Sequence, residues 1–207
     1  MDALELLGHA RIVPVVVIDD VEFAVPLAET LVEAGLDVIE VTLRTESALD
    51  AIAAMAKAVP QAIVGAGSIR DREQFQLVKD AGGKFAVSPG HSNNLAVTAM
   101  DHKLPFIPGA VTASEIIALR EWGYTLVKFF PAELSGGVKM IKALSGPLPE
   151  TRFCPTGGIT PERAKDYLAL PQVACLGGSW ITPKDLMAAR DAKAIGQLAR
   201  DAVALIP

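Results

Sequence analysis

Leu126-Val127-Lys128-Phe129-Phe130-Pro131 has the character of a strand closed by a proline, a short run that is apolar on both faces apart from one lysine. Runs of the same kind recur along the chain at 12–18, 38–43, 62–67, 85–88, 105–108, 126–130, 152–156 and 173–177. Helix-like stretches lie between them. Their starts are marked by the capping box Thr112-Ala113-Ser114-Glu115, by Asp71 with Gln74 three residues on, and by Thr160-Pro161 and Thr182-Pro183, with proline at the first helical position. Nearly all-apolar strands, each followed by an amphipathic segment, imply parallel strands covered on their outer face by helices. With a period of roughly 25 residues and no compositional break, the pattern predicts an α/β fold of the (β/α)8 TIM-barrel type. One domain over 1–207 is expected, with a short helix at about 2–10 before the first strand. A doubly wound open sheet is the alternative. It is less well supported, because no GxGxxG follows the first strand, where Ile18-Asp19-Asp20-Val21 leads directly into a helix.

Composition narrows the function. The chain is 51% hydrophobic and 21% charged over 207 residues, which is globular rather than disordered. A net charge of −5 and the absence of a basic stripe with interleaved aromatics argue against nucleic acid and anionic membranes as partners. The first residues carry no basic n-region with a following apolar region, and no run is long enough to span a bilayer, so a soluble cytoplasmic protein is expected. Cys154 and Cys175 lie in separate strands outside any CxxC pair and fit reduced core residues. His9, His91 and His102 lack metal-ligand spacing, so no metal site is expected.

In a barrel the active site lies at the carboxyl ends of the strands. Polar or unusual residues fall there: Glu40 and Arg44, Ser68, Pro89-Gly90, Lys128, Thr156-Gly157-Gly158, and Gly177-Gly178-Ser179. Strand alternation groups Glu40, Thr42 and Arg44 on one face and Leu126, Lys128 and Phe130 on another. Strands two and six are opposed in an eight-strand ring, so Glu40 and Lys128 would face each other across the interior. An ordinary lysine, with a pKa of about 10.4, leaves roughly one molecule in a thousand as free amine at neutral pH. Burial lowers that pKa, which makes Lys128 a candidate imine-forming nucleophile. The bland alternatives are snorkelling or pairing with a carboxylate. Glu40 is the carboxylate placed to carry protons, or else to act as counter-ion to Lys128 or Arg44. The Arg44 fork suits a substrate carboxylate, with a rim salt bridge as its alternative. Two Gly-Gly pairs, in the loops after strands seven and eight, suit a phosphate held by backbone N–H groups.

Together Glu40-Val41-Thr42-Leu43-Arg44-Thr45, Gly65-Ala66-Gly67, Ser88-Pro89-Gly90, Val127-Lys128-Phe129-Phe130-Pro131-Ala132-Glu133, Arg152-Phe153-Cys154-Pro155-Thr156-Gly157-Gly158-Ile159 and Gly177-Gly178-Ser179-Trp180 resemble the 2-keto-3-deoxy-6-phosphogluconate (KDPG) aldolases, a family that includes 4-hydroxy-2-oxoglutarate (KHG) aldolases. The resemblance implies a metal-independent class I aldolase without a cofactor, a homotrimer, cleaving the phosphorylated sugar acid reversibly to pyruvate and glyceraldehyde 3-phosphate. It implies Lys128 as the Schiff-base residue, Glu40 as proton carrier, and Arg44 with Ser68 on the pyruvate carboxylate. Pro89, Phe130 and Thr156 would contact substrate, and Gly157, Gly158, Gly178 and Ser179 would bind phosphate. Two departures stand out. Ser68 replaces the threonine usual after Gly-Ala-Gly, and His91-Ser92 replaces Leu-Thr after Ser88-Pro89-Gly90. Left open are the same chemistry on 4-hydroxy-2-oxoglutarate or on the galactonate epimer, a phosphate-binding barrel isomerase that forms no imine, and a noncatalytic sugar-phosphate sensor.

Overall fold

Eight short apolar strands cannot bury both faces alone, and the chain solves this by wrapping them into a ring with helices outside. The computed structural model describes residues 3–206. The strands are β1 (Ile12–Val16), β2 (Val38–Thr42), β3 (Ile63–Gly67), β4 (Ala86–Val87), β5 (Phe106–Ile107), β6 (Leu126–Phe129), β7 (Arg152–Pro155) and β8 (Leu176–Gly178). A helix Ala3–Leu7 precedes β1. The helices Ala24–Glu33, Ala48–Ala58, Glu73–Asp80, Asn93–Asp101, Ala113–Glu121, Gly137–Ser145 and Pro161–Leu168 follow the first seven strands in turn, and Lys184–Ala188 and Ala192–Val203 follow β8.

All paired strands are parallel, and six of them form one curled ladder in the order β5-β4-β3-β2-β1-β8. The β1–β8 pairing is the signature of a barrel, since it joins the two ends of the chain's strand series; a doubly wound sheet would leave them apart. β6 and β7 pair with each other, Lys128 opposite Cys154. Isolated bridges tie this pair to its flanks, Gly109 to Lys128 on the β5 side, and Phe153 to Val173 and Thr156 to Gly177 on the β8 side. The ring therefore closes, with seams rather than full ladders at β5–β6 and β7–β8. The shortness of β4 and β5 has a local cause: Pro89, Pro105 and Pro108 flank them and cannot donate to a ladder.

Alternation sorts the side chains as expected. Ile39 and Val41 of β2 and Val127 and Phe129 of β6 are fully buried in the layer between strands and helices. Each such side chain contributes about 1.5–3 kcal/mol by leaving water. Val38, Leu126, Val13, Phe85, Cys154 and Cys175 fill the interior instead, where Ala3 and Leu7 of the first helix join them and plug the amino-terminal end of the barrel. The opposite end is left for chemistry.

Local signals mostly hold. Thr112 and Glu115 form the reciprocal capping box, and Thr160 precedes Pro161 at the start of its helix. Two starts differ. Gln74 Oε1 accepts the N–H groups of Arg70 and Asp71, at 2.7 and 3.1 Å, so the helix begins at Glu73 with Arg72 as its cap rather than Asp71. Pro183 is itself the cap of Lys184–Ala188 rather than its first residue. The first helix is Ala3–Leu7, shorter than 2–10, and residue 2 lies outside the described residues. Among the described residues no helix is long and apolar enough to cross a membrane.

Candidate active site

The interior of the barrel becomes polar in one layer near its carboxyl end. Glu40 is 2% exposed and Lys128 5% exposed, and Lys128 Nζ donates to Glu40 Oε1 at 2.9 Å. The two groups touch rather than face each other across a gap. Isolated, either charge would be costly in this setting; paired, they compensate each other. Room for the carboxylate comes from Gly67 of the neighbouring strand β3, where a Cβ would collide with the Glu40 side chain. Above the lysine lies Phe130, its ring centroid 5.5 Å from Nζ, the range of a cation–π contact.

Among the described residues, the barrel interior beside the lysine is lined by apolar side chains and two thiols. Cys154, the register partner of Lys128, and Cys175 are free and buried. The neighbouring Cys175 thiol holds Cys154 below its usual value, while Cys154 and burial push Cys175 well up. Thr156 is buried at the top of β7, its hydroxyl 3.5 Å from the Cys154 carbonyl.

The β2–β4 side of the mouth carries cations. A cavity of about 330 Å3 is lined by Leu43, Arg44, Ser68, Arg70 and Pro89. It lies beside the ion pair, because Ser68 directly follows the glycine on which Glu40 packs. Ser68, directly after β3, has φ +62, unusual for a residue with a side chain. Arg44 is held on both sides, by Leu43 N–H on the Gly67 carbonyl at 2.8 Å and by the Thr45 hydroxyl on the Ile18 carbonyl at 2.6 Å. Its guanidinium remains exposed. Arg70 lines the cavity although the sequence did not single it out, because beside Asp71 at an expected helix start it has the look of a solvated charge.

The β7–β8 side is built from backbone. Gly157 and Gly158 both have positive φ, +100 and +76, backbone that residues with side chains rarely adopt. A Cβ at Gly158 would sit 3.0 Å from the Glu133 side chain. Glu133 braces this loop: its N–H donates to the Gly157 carbonyl, and its carboxylate is engaged by Arg163 at 3.1 Å and by the Tyr167 hydroxyl. Burial and that carboxylate raise the Tyr167 pKa. Gly178 is buried at the end of β8 and Ser179 is exposed after it. Ser179 also lines a larger cavity of about 470 Å3, walled by Val15, Val17, Ile18, Phe23 and Met187. That space is mostly apolar and contains neither Lys128 nor Glu40, so size does not mark the chemistry here.

His91, more polar than the leucine expected at its place, is a loop tie: its Nδ1 lies 2.9 Å from the Gly109 carbonyl, joining the loops after β4 and β5.

Comparison with known proteins agrees with this geometry. The KDPG and KHG aldolase family profile matches residues 4–198. The KHG/KDPG aldolase of Escherichia coli K12 is 49% identical over 201 residues, covering 97% of this chain and 94% of the relative. The fold matches the KDPG aldolase of Legionella pneumophila, a structure with pyruvate captured at low pH as a covalent carbinolamine, with a TM-score of 0.94, 40% identity and 97% coverage of both chains. It also matches the Zymomonas mobilis ZM4 enzyme with 3-phosphoglycerate, with a TM-score of 0.93, 41% identity, and 99% and 96% coverage.

Proposed function

The chain belongs to the KDPG and KHG aldolase family, and from that premise we propose that it is a class I lyase cleaving 2-keto-3-deoxy-6-phosphogluconate reversibly to pyruvate and glyceraldehyde 3-phosphate. The observation that carries the reading is the buried Lys128–Glu40 pair at 2.9 Å in the mouth of the barrel.

Each step follows from that contact. Lys128 gives a proton to Glu40, and the freed amine attacks the C2 carbonyl of the substrate to form a carbinolamine. Glu40 returns the proton to the carbinolamine oxygen, water leaves, and a protonated imine remains. Glu40, a carboxylate again, accepts the C4 hydroxyl proton through a water molecule as the C3–C4 bond breaks. The bond's electrons pass into the imine, giving an enamine and the aldehyde. Glu40 then delivers its proton to C3, and hydrolysis of the resulting imine releases pyruvate and regenerates the lysine. The imine is the electron sink, which explains why a lysine stands at this position.

Binding is divided between the two sides of the mouth. Arg44 and the Ser68 hydroxyl would hold the pyruvate carboxylate, with Pro89 and Phe130 bounding the reacting carbons and Thr156 meeting the substrate hydroxyls. Gly157, Gly158, Gly178 and Ser179 would hold the phosphate. The Legionella carbinolamine and the Zymomonas 3-phosphoglycerate complexes support this division by chemistry, since they hold pyruvate and a phosphorylated three-carbon acid. The name of the E. coli relative favours a second substrate, 4-hydroxy-2-oxoglutarate, cleaved to pyruvate and glyoxylate. Relative turnover separates the two, because the unphosphorylated substrate gains nothing from the glycine loops. The family resemblance supports a homotrimer, and two unpaired thiols fit a reducing, cytoplasmic compartment.

The test is peptide mass spectrometry after incubation with pyruvate and sodium borohydride, against borohydride alone. One reduced pyruvate adduct on Lys128 is the expected result. No adduct on folded protein would overturn the aldolase reading and favour the isomerase or the sensor.

A further inference from the structure

We propose that Arg70 is a second carboxylate-binding residue of the 2-oxo acid site, acting with Arg44. This assignment rests on the aldolase reading above and adds a residue that recognises the donor substrate.

The first observation is a difference among the arginines. The chain has nine. Seven engage a protein oxygen through the guanidinium, on backbone carbonyls, side-chain oxygens or carboxylates. Arg44 and Arg70 alone have no such partner among the described residues, and both line the same cavity of about 330 Å3. Among the described residues no acidic side chain lines that cavity. Two like charges brought to one small space repel, and a negatively charged ligand between them removes the repulsion. The volume lies in the lower part of the range of small-molecule sites.

The second observation is that Arg70 is held in place from below. Ile69 is fully buried and its N–H donates to the Val87 carbonyl at 3.0 Å, which pins the loop to β4. On the other side Gln74 Oε1 accepts the Arg70 N–H at 2.7 Å. The backbone is fixed at both ends while the side chain stays unengaged, the same arrangement found at Arg44. Ser68, with φ +62, lines the same cavity as the two arginines. A carboxylate seated there meets two planar donor forks and a hydroxyl, and two forks can satisfy both oxygens at once.

The donor's charge is what Arg70 would recognise, so the experiment varies that charge while keeping the carbonyl. Initial rates of adduct formation on Lys128 in the presence of cyanoborohydride are measured against concentration for pyruvate and for its uncharged ester, methyl pyruvate. For Arg70→Leu the half-saturating pyruvate concentration is expected to rise roughly tenfold while the value for methyl pyruvate stays within about twofold, as loss of one charge-assisted contact predicts. Arg70→Lys is expected to recover part of the pyruvate affinity, and the trapping rate at saturation should stay unchanged. An unchanged pyruvate value in Arg70→Leu, or equal losses for both ligands, would overturn the assignment while leaving the aldolase reading intact. An absent adduct in the unmodified protein would overturn both. The side chain is exposed, so a thermal melt of each variant matching the parent is the expected folding control.

Discussion

On the proposed assignment, the two sides of the barrel mouth hold an anion in opposite ways. On the β2–β4 side the donors are side chains, Arg44, Arg70 and the Ser68 hydroxyl, projecting from backbone that is pinned beside each of them. On the β7–β8 side they are N–H groups of Gly157 and Gly158, in a loop whose nearest carboxylate, Glu133, is already occupied by Arg163 and Tyr167. A guanidinium fork fits the planar carboxylate and fixes its orientation, which matters next to the carbon under attack. Backbone donors suit a phosphate, whose three terminal oxygens spread the charge and whose place is at the far end of the substrate from the reacting carbons. The ion pair of Lys128 and Glu40 lies between them.

The largest expected effect is at the centre, where a side-specific account has to stop. Lys128→Ala should lower turnover by on the order of 10⁴-fold or more, since the nucleophile is gone. It should also destabilise the fold by about 3–5 kcal/mol, because Glu40 is left buried without its partner. Adding Glu40→Gln should recover much of that loss without recovering turnover, as a double-mutant cycle by denaturant titration would show; a stability unchanged in the single variant would mean the contact is not a compensated pair.

Next come the two sides. Arg44→Ala should raise the KM of phosphorylated and unphosphorylated substrates alike, by roughly 10- to 100-fold, since both carry the pyruvate carboxylate. Gly158→Ala should weaken only the phosphorylated substrate, by about tenfold, because a Cβ is strained at φ +76 and crowds Glu133. Equal losses for both substrates in that variant would erase the distinction between the sides. Ser179→Ala should act in the same direction by only about threefold, the size of one exposed hydrogen bond.

The smallest effect lies away from both sides and serves as their control. Burial pushes the Glu115 carboxyl up, but hydrogen bonds from Val111 and Thr112 outweigh it and hold it below the usual range. Its stabilisation is thus present above the unfolded value of about 4.3 and lost as pH falls through the lower folded value. Glu115→Ala should cost about 1 kcal/mol at neutral pH, with the gap to the parent closing in acid and KM unaffected. A gap that widens in acid would contradict the capping role.

Much of this was legible along the chain. Lys128 stands out because a charge interrupts an apolar strand, and alternation put it on the same inward face as Leu126, as observed. The Thr112–Glu115 capping box was readable because both partners lie within one turn. Arg70 was not, since its meaning depends on sharing a cavity with a residue 26 positions earlier. Nor was the brace of Glu133 by Tyr167, 34 residues away. Strand bounds differ by one or two residues at β1 to β7, with prolines flanking the ladder at β4 and β5, and by more at β8, which begins at Leu176 because Val173 contributes only an isolated bridge.

The sequence by itself determined the alternation of apolar strands and helices, the face on which each side chain points, and the chemical types gathered at the strand ends, because periodicity and propensity act over a few residues. Only the tertiary structure decided that Glu40 touches Lys128 at 2.9 Å, that Gly67 makes room for it, and that two arginines without partners among the described residues share one cavity. Those facts depend on how the ring closes, which places residues far apart in the chain within contact distance.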